Sequence, residues 1–157
     1  MIQEHRCCHI IDVFDRQIVC HLESLRARAG ESLEALENAV VARFPGGPRG
    51  RRPILQSDNG CQPTTRSFLE TLKVLDINAQ FIDVSEPRQN AFIERYFRSL
   101  KEEEVWPNIY ETVEDVKAGI ADYVRFYNHN REHSALGYLP PAEFARLAAQ
   151  RPSQDVA

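Results

Sequence analysis

The fold of this chain is decided by two segments, Gln56-Ser57-Asp58-Asn59-Gly60 and Asn90-Ala91-Phe92-Ile93-Glu94-Arg95-Tyr96-Phe97-Arg98-Ser99-Leu100-Lys101. The first follows a short apolar run and contains Asn59-Gly60, a pair that favours a turn. We therefore expect Asp58 at the carboxyl end of a strand. The second has the periodicity of an amphipathic helix, and Glu94 is expected on that helix.

The predicted helix separates a polar face from an apolar face, because successive side chains are rotated by about 100°. The polar face comprises Asn90, Glu94, Arg98 and Lys101, and the apolar face comprises Ile93, Tyr96, Phe97 and Leu100. Since the apolar face would pack on a sheet, Glu94 is expected beside the core and not inside it.

Asp58 and Glu94 are the candidate catalytic and metal-binding residues. Two neighbouring carboxylates repel each other unless a proton or a cation lies between them, and Mg²⁺ prefers oxygen ligands. Taken singly, each acid also has a structural interpretation, because Asp-Asn-Gly commonly forms a turn and a helical Glu is commonly a solvated charge.

The motifs around both acids resemble those of a known family. They are Ser57-Asp58-Asn59-Gly60-Cys61-Gln62-Pro63-Thr64, Asn90-Ala91, Glu94-Arg95 and Leu100-Lys101-Glu102-Glu103. This pattern resembles the catalytic core of bacterial insertion-sequence transposases of the retroviral-integrase (DDE) superfamily. In that family 35 residues separate the second acid from the final Glu, and 35 residues (59 to 93) separate them here. The segment Tyr127–Pro141 resembles the end of the same domain, so the resemblance covers roughly residues 8–145.

The resemblance implies an α/β fold, a ribonuclease-H-like mixed sheet flanked by helices, in a domain over residues 1–149 with a polar tail at 150–157. It implies phosphoryl transfer on DNA with Mg²⁺ or Mn²⁺ held by Asp58 and Glu94. The implied partners are the DNA of transposon ends and target, together with further copies of the chain or a full-length transposase. The residues expected near DNA are Arg88, Asn90, Arg95, Arg98 and Lys101.

The family's catalytic unit has a third acid, which lies on a central strand before the first hairpin. Only residues 1–5 precede the predicted hairpin here, so we expect that strand and its Asp to be absent. Asp12 is the one substitute, but its neighbours match the turn of the hairpin. We therefore expect unpaired inner sheet edges, poor folding without a partner strand, weak metal binding and little or no activity.

Composition supports a soluble globular protein but not a generally basic one. The 157 residues are 43% hydrophobic and 27% charged, with a net charge of −4. Because phosphate affinity comes from Lys and Arg, this charge argues mildly against a stand-alone nucleic-acid binder. Arg49, Arg51 and Arg52 nevertheless cluster in one Pro/Gly-rich loop, which is either a DNA contact or an ordinary connector.

The expected location of the protein and the expected state of its cysteines rest on features that the sequence lacks. No apolar run is long enough to span a membrane, and no signal-peptide core is present, so a cytoplasmic location without membrane contact is expected. The four cysteines contain no CxxC pair and are expected to be reduced.

Other elements follow from caps and periodicity. We expect strands over 7–13, 17–25 and 79–84, and helices over 33–44 (capped by Ser32), after Thr64 or Thr65, after Thr112 and over 141–149. The apolar face of the helix after Thr64 or Thr65 comprises Phe68, Leu69, Leu72 and Leu75. Residues 112–115 resemble a capping box, and the apolar face of the helix that follows comprises Val113, Val116, Ile120, Tyr123 or Val124, and Tyr127. A structural, hydrogen-bonding role for Arg131 and His133 is favoured over metal binding or base catalysis by His133. Packing of Trp106 and Tyr110 over a helix junction is favoured over stacking on bases.

Three other functions remain compatible with the sequence. The chain could be a non-catalytic remnant that binds DNA or oligomerises, or a ribonuclease-H-like nuclease that cleaves without joining strands. A two-carboxylate glycosidase is the third, although only the acids support it.

Overall fold

A computed structural model describes residues 6–24, 29–57, 65–82 and 90–150. Its strands are β1 Arg6–Ile11, β2 Ile18–Ser24, β3 Ile54–Ser57 and β4 Asn78–Phe81. Its helices are α1 Ala29–Arg43, α2 Arg66–Val74, α3 Ala91–Leu100, α4 Val113–His129 and α5 Pro141–Gln150. The chain divides into two compact units, Met1–Ile10 with Val19–Arg98, and Ile11–Ile18 with Ser99–Ala157.

In the first unit, the strands form two separate pairs. β1 and β2 are hydrogen-bonded neighbours, and their short connection requires an antiparallel hairpin. β3 and β4 are parallel, with Ile54 opposite Asn78 and Ser57 opposite Phe81. Among the described residues no further strand joins the two pairs, so the expected mixed sheet is divided here into two small sheets.

Helix α1 packs against both strand pairs. Ala35 and Ala39 contact a cluster that includes Cys20 of the hairpin, whereas Leu36 belongs to a cluster with α2 and with Leu55 of β3. The predicted Ser32 cap is wrong, because α1 begins at Ala29 and Ser32 is buried within the helix. Its side chain instead hydrogen-bonds the thiol of Cys8.

Helix α2 has the apolar face that its periodicity predicts. Phe68 and Leu72 are buried, and Leu69 and Leu75 pack against the same cluster. Thr65 occupies the N-cap position without a side-chain cap hydrogen bond.

The second unit is built around α4, whose predicted capping box is confirmed. The Thr112 hydroxyl accepts from the Asp115 N–H (3.1 Å), and the Asp115 carboxylate accepts from the Thr112 N–H (2.8 Å). The buried face is the predicted one and consists of Val116, Ile120, Tyr123, Val124 and Tyr127. None of the helices in the described ranges is both long and apolar enough to cross a membrane.

The turn of the hairpin also belongs to the second unit. Asp12 accepts a hydrogen bond from the Phe14 N–H at 2.8 Å, and its own N–H donates to the carbonyl of Gln17. Asp12 therefore serves the turn, as its sequence context indicates. The side chain of Asn128 pairs with both backbone groups of Ile18, at 2.9 Å each.

Candidate metal and nucleic-acid site

The carboxyl ends of β3 and β4 lie side by side where Asp58 was predicted. Ser57 is the last residue of β3, and its carbonyl accepts from the Ile82 N–H at 2.9 Å. Asp58 itself and Arg88 lie outside the described residues. In α/β folds, ligands bind beyond the carboxyl ends of parallel strands, so this end of the pair is the expected place for a site.

Helix α3 presents the predicted polar residues on its outer face. Glu94, Arg95, Arg98 and Lys101 are exposed, and Asn90 is partly buried. Among the described residues, none of these charged side chains forms an ion pair. The carboxylate and the cations of this face are therefore available to a ligand.

The opposite face of α3 is anchored to the hairpin. Tyr96 is fully buried, and its hydroxyl lies 2.8 Å from Nδ1 of His9. The ring of Phe97 also packs on His9, with centroids 5.3 Å apart. These contacts fix the rotation of α3 about its axis, which keeps Glu94 on the outside.

A buried contact between a histidine and a carboxylate lies behind this anchor. Nε2 of His9 is 3.5 Å from Oε1 of Glu23, and their side chains are 0% and 9% exposed. Burial raises the pKa of Glu23, but the neighbouring imidazoles of His9 and His21 outweigh burial and lower it. Burial also lowers the pKa of His21, with Glu23 opposing this shift. Sequence reasoning missed this arrangement, because residues of β1, β2 and α3 meet only in the fold.

A second polar cluster forms in the second unit around Glu103. Arg131 donates to both of its carboxylate oxygens, with Nη2–Oε1 at 2.7 Å and Nε–Oε2 at 3.0 Å. The hydroxyl of Tyr123 donates to Oε2 at 2.9 Å, and the guanidinium of Arg131 lies over the ring of Tyr127. The structural role predicted for Arg131 is confirmed.

These contacts shift the pKa values of the cluster. The hydrogen bond from Arg131 is the main reason that the pKa of Glu103 is lowered, and Glu103 in turn raises the pKa of Arg131. Burial, and then the charge of Arg131, lower the pKa of His133 to about 4. The ring of His133 packs edge-on against Tyr127 at 4.8 Å. In the part of the chain that the structure describes, no three His, Cys, Asp or Glu side chains could hold one metal ion.

The two aromatic residues after α3 have different surroundings. Tyr110 donates to the carboxylate of Glu104 at 2.9 Å, and burial together with this acid raises its pKa to about 12. Trp106 is 69% exposed. The packing prediction is therefore wrong for Trp106, which directly follows the π-helical turn Lys101–Val105.

Comparison with known proteins finds similarity to integrase cores and to proteins of bacterial insertion elements. Residues 75–141 match the family model described as "Integrase core domain". An insertion-element IS476 protein of Xanthomonas euvesicatoria is 31% identical over 140 residues, which are 89% of this chain and 39% of that protein. The putative transposase for IS150 of Escherichia coli is 25% identical, over 86% of this chain and 46% of its own length. The chain spans about half the length of the curated relatives it matches.

Solved structures confirm the predicted fold class. The catalytic core domain of bovine immunodeficiency virus (BIV) integrase superposes with a TM-score of 0.66 at 18% identity, covering 94% of this chain and 89% of that one. A catalytic core of HTLV-2 integrase in complex with magnesium has a TM-score of 0.56 at 14% identity, covering 89% and 92%. The fold is thus that of a ribonuclease-H-like integrase core.

Proposed function

We propose that this chain, an integrase core related to those of insertion-sequence transposases, supplies Asp58 and Glu94 as ligands for Mg²⁺ or Mn²⁺ in phosphoryl transfer on DNA. The observation that carries the proposal is the setting of Glu94. It lies on a helix whose rotation is fixed by Tyr96 and His9, yet its carboxylate is exposed and pairs with no cation among the described residues.

The donor chemistry fits a hard divalent cation, because both candidate ligands are carboxylates. When bound, such a cation activates the attacking hydroxyl and stabilises the leaving oxygen. The chain's own contribution is to hold the carboxylates and to place Arg98 and Lys101, one and two turns beyond Glu94, where they bind phosphate oxygens. Arg88, Asn90 and Arg95 complete the proposed DNA surface.

The HTLV-2 integrase cores were solved in dimeric and trimeric forms. For this chain, we propose assembly with further copies or with a full-length transposase.

The test begins with the DNA upstream of the Met1 codon, translated in all frames. If it encodes a strand with Trp-x-x-Asp, the longer protein should nick and join DNA with Mg²⁺, and Asp58→Ala or Glu94→Ala should reduce the rate at least 100-fold. Glu37→Ala, an exposed acid of α1, is the matched control. Full activity of either site variant, or cleavage without metal, would contradict the proposal.

A further inference from the structure

The loop between α1 and β3 is an ordered platform for three exposed arginines, Arg49, Arg51 and Arg52. Two turns shape it, because the Gly47 N–H donates to the carbonyl of Phe44 and the Arg51 N–H to that of Pro48. Pro48 is almost completely buried. Arg52 has φ of 46°, a left-handed conformation that costs about 1–2 kcal/mol for a residue with a Cβ.

The platform is attached to the turn between α2 and β4. The Gly50 N–H donates to the carboxylate of Asp76 at 3.2 Å, and the Asn78 N–H donates to the carbonyl of Pro53 at 2.9 Å. The guanidinium carbon of Arg51 lies 5.9 Å from the centre of the Phe44 ring. This stacking restricts the orientation of one of the three cationic groups.

The charge of this region is opposite to that of the chain. Segments 43–53 and 73–78 contain Arg43, Arg49, Arg51, Arg52 and Lys73 against a single acid, Asp76, a net charge of +4 in a protein of −4. Arg43 and Lys73 lie in last helical turns, where the helix dipole favours cations. The helix dipole does not account for the three loop arginines, because they lie outside the helices. The ion pair between Arg52 and Asp76 contributes little, because its atoms are 3.8 Å apart and the two side chains are 75% and 43% exposed to solvent.

The platform lies at the amino ends of β3 and β4, whereas Ser57 is the last residue of β3, at the opposite end of the strand. The three steps from Ile54 to Ser57 span about 10 Å, at about 3.3 Å per residue. The platform and the residue that precedes Asp58 in the sequence therefore lie at opposite ends of β3.

We propose that loop 44–53 binds the phosphate backbone of duplex DNA at a contact separate from the proposed site of Asp58 and Glu94. Guanidinium groups suit this ligand because their forked N–H groups bind two phosphate oxygens at once. The inference rests on the proposed function for the identity of the ligand as DNA. It adds a second contact surface, which holds flanking duplex away from the site of chemistry.

The experiment measures binding of the full chain to a fluorescein-labelled 30-base-pair duplex by anisotropy, between 50 and 200 mM KCl. Each lost phosphate contact reduces the slope of log K against log [salt] by about 0.9. The variant with Arg49→Gln, Arg51→Gln and Arg52→Gln should therefore lose about 2–3 from the magnitude of the slope. The control with Lys117→Gln, Arg125→Gln and Arg146→Gln removes the same charge from α4 and α5 and should keep the wild-type slope.

Two further variants separate the possible failures. Replacing the loop arginines with lysines keeps the charge but loses the forked hydrogen bonds. The salt slope should therefore be retained while affinity falls severalfold. A retained slope would exclude unfolding as the cause of the slope lost in the glutamine variant. A variant with Arg95→Gln, Arg98→Gln and Lys101→Gln tests the proposed site. If the salt slope decreases in this variant but not in the loop variant, the loop inference is wrong and the proposed function stands. Equal losses in the loop and control variants would overturn the loop inference, and a wild-type chain that binds no DNA would overturn both.

Discussion

Glu94 and Glu103 lie nine positions apart in one helical stretch, α3 and the π-helical turn that continues it, yet their surroundings differ. Glu103 accepts hydrogen bonds from Arg131 and Tyr123, and this pairing lowers its pKa. Glu94 is exposed and pairs with no cation among the described residues. The contrast shows that Glu103 contributes to the fold through its bonds, whereas Glu94 leaves an exposed carboxylate on the surface of α3.

Glu94 and Glu103 also differ in the contacts that hold their positions. Glu103 is itself bonded, and the ion pair that it makes spans from residue 103 to residue 131. Glu94 makes no such bond within the described part of the chain, and α3 is held by Tyr96 and His9 instead. The first arrangement stabilises the fold directly, whereas the second positions a helix and leaves the Glu94 carboxylate exposed.

The largest expected effect comes from removing the anchor of α3. Tyr96→Ala should lower the free energy of unfolding by about 3–5 kcal/mol, because the side chain is fully buried and its hydroxyl is bonded. Phe92→Ala, at a side chain 41% exposed on the same helix, should cost less than about 1 kcal/mol. Urea titration followed by far-UV circular dichroism measures both, and equal losses would contradict the assignment of the anchored face.

The next effect comes from breaking the Glu103 cluster. Arg131→Ala removes a forked hydrogen bond to a carboxylate and should cost about 2 kcal/mol. Arg125→Ala, which removes an ion pair with Asp122 whose side chains are both 72% exposed, should cost less than about 0.5 kcal/mol. A cost for Arg131→Ala no larger than that control would show that the cluster contributes nothing to stability.

Elements close in sequence could be predicted, because their signals are local. The polar and apolar faces of α3, the buried face of α4 and the box formed by Thr112 and Asp115 all follow from spacing along one helix. The bond from His9 to Tyr96 could not be predicted, because 87 positions separate the two residues and no pattern marks either as a partner. The predicted Ser32 cap is wrong because α1 begins three residues upstream, and the Ser32 side chain interacts with Cys8 of the hairpin, a partner that no local pattern marks.

The candidate site also combines features that the sequence predicts with features that only the fold shows. The identity and spacing of Asp58 and Glu94 come from the chain, as does the exposure of Glu94 on an amphipathic helix. The pairing of Glu103 with Arg131 depends on how α4 and the segment after it return to the end of α3. The sequence alone therefore offered several acids between 94 and 104, and only the fold distinguishes the paired ones.

A smaller effect is expected from pH. The pKa of His133 falls from 6.5 to about 4 in the folded chain, so between these values the unfolded chain binds the extra proton. Stability should therefore fall as pH decreases from 6.5 to 4, by roughly 1–2 kcal/mol for a ring that is only partly buried. His133→Gln should remove this part of the pH dependence. The contribution of Glu103, whose pKa is lowered, is lost only as pH falls below its ordinary value of 4.5, so the difference between the two proteins isolates His133. If the free energy of unfolding depends on pH in the same way in the wild type and in His133→Gln, the lowered pKa of His133 is wrong.

The smallest effect on stability is expected at Glu94 itself. Glu94→Gln should change the free energy of unfolding by less than about 0.5 kcal/mol, since the side chain is exposed and loses no ion pair with residues that the structure describes. Glu103→Gln should cost about 1–2 kcal/mol, because it weakens the bond with Arg131. If both substitutions cost the same, Glu94 has a structural partner and the comparison fails.

The central claim, that Glu94 and Asp58 together hold a divalent cation, is tested most directly by Mn²⁺ binding. The free ion can be counted by electron paramagnetic resonance in solutions of the wild-type chain and of Glu94→Gln, Asp58→Asn and Glu37→Gln. We predict that the first two variants each weaken binding at least tenfold, about 1.4 kcal/mol, and that Glu37→Gln binds as the wild type does. Wild-type affinity in Glu94→Gln would contradict the claim.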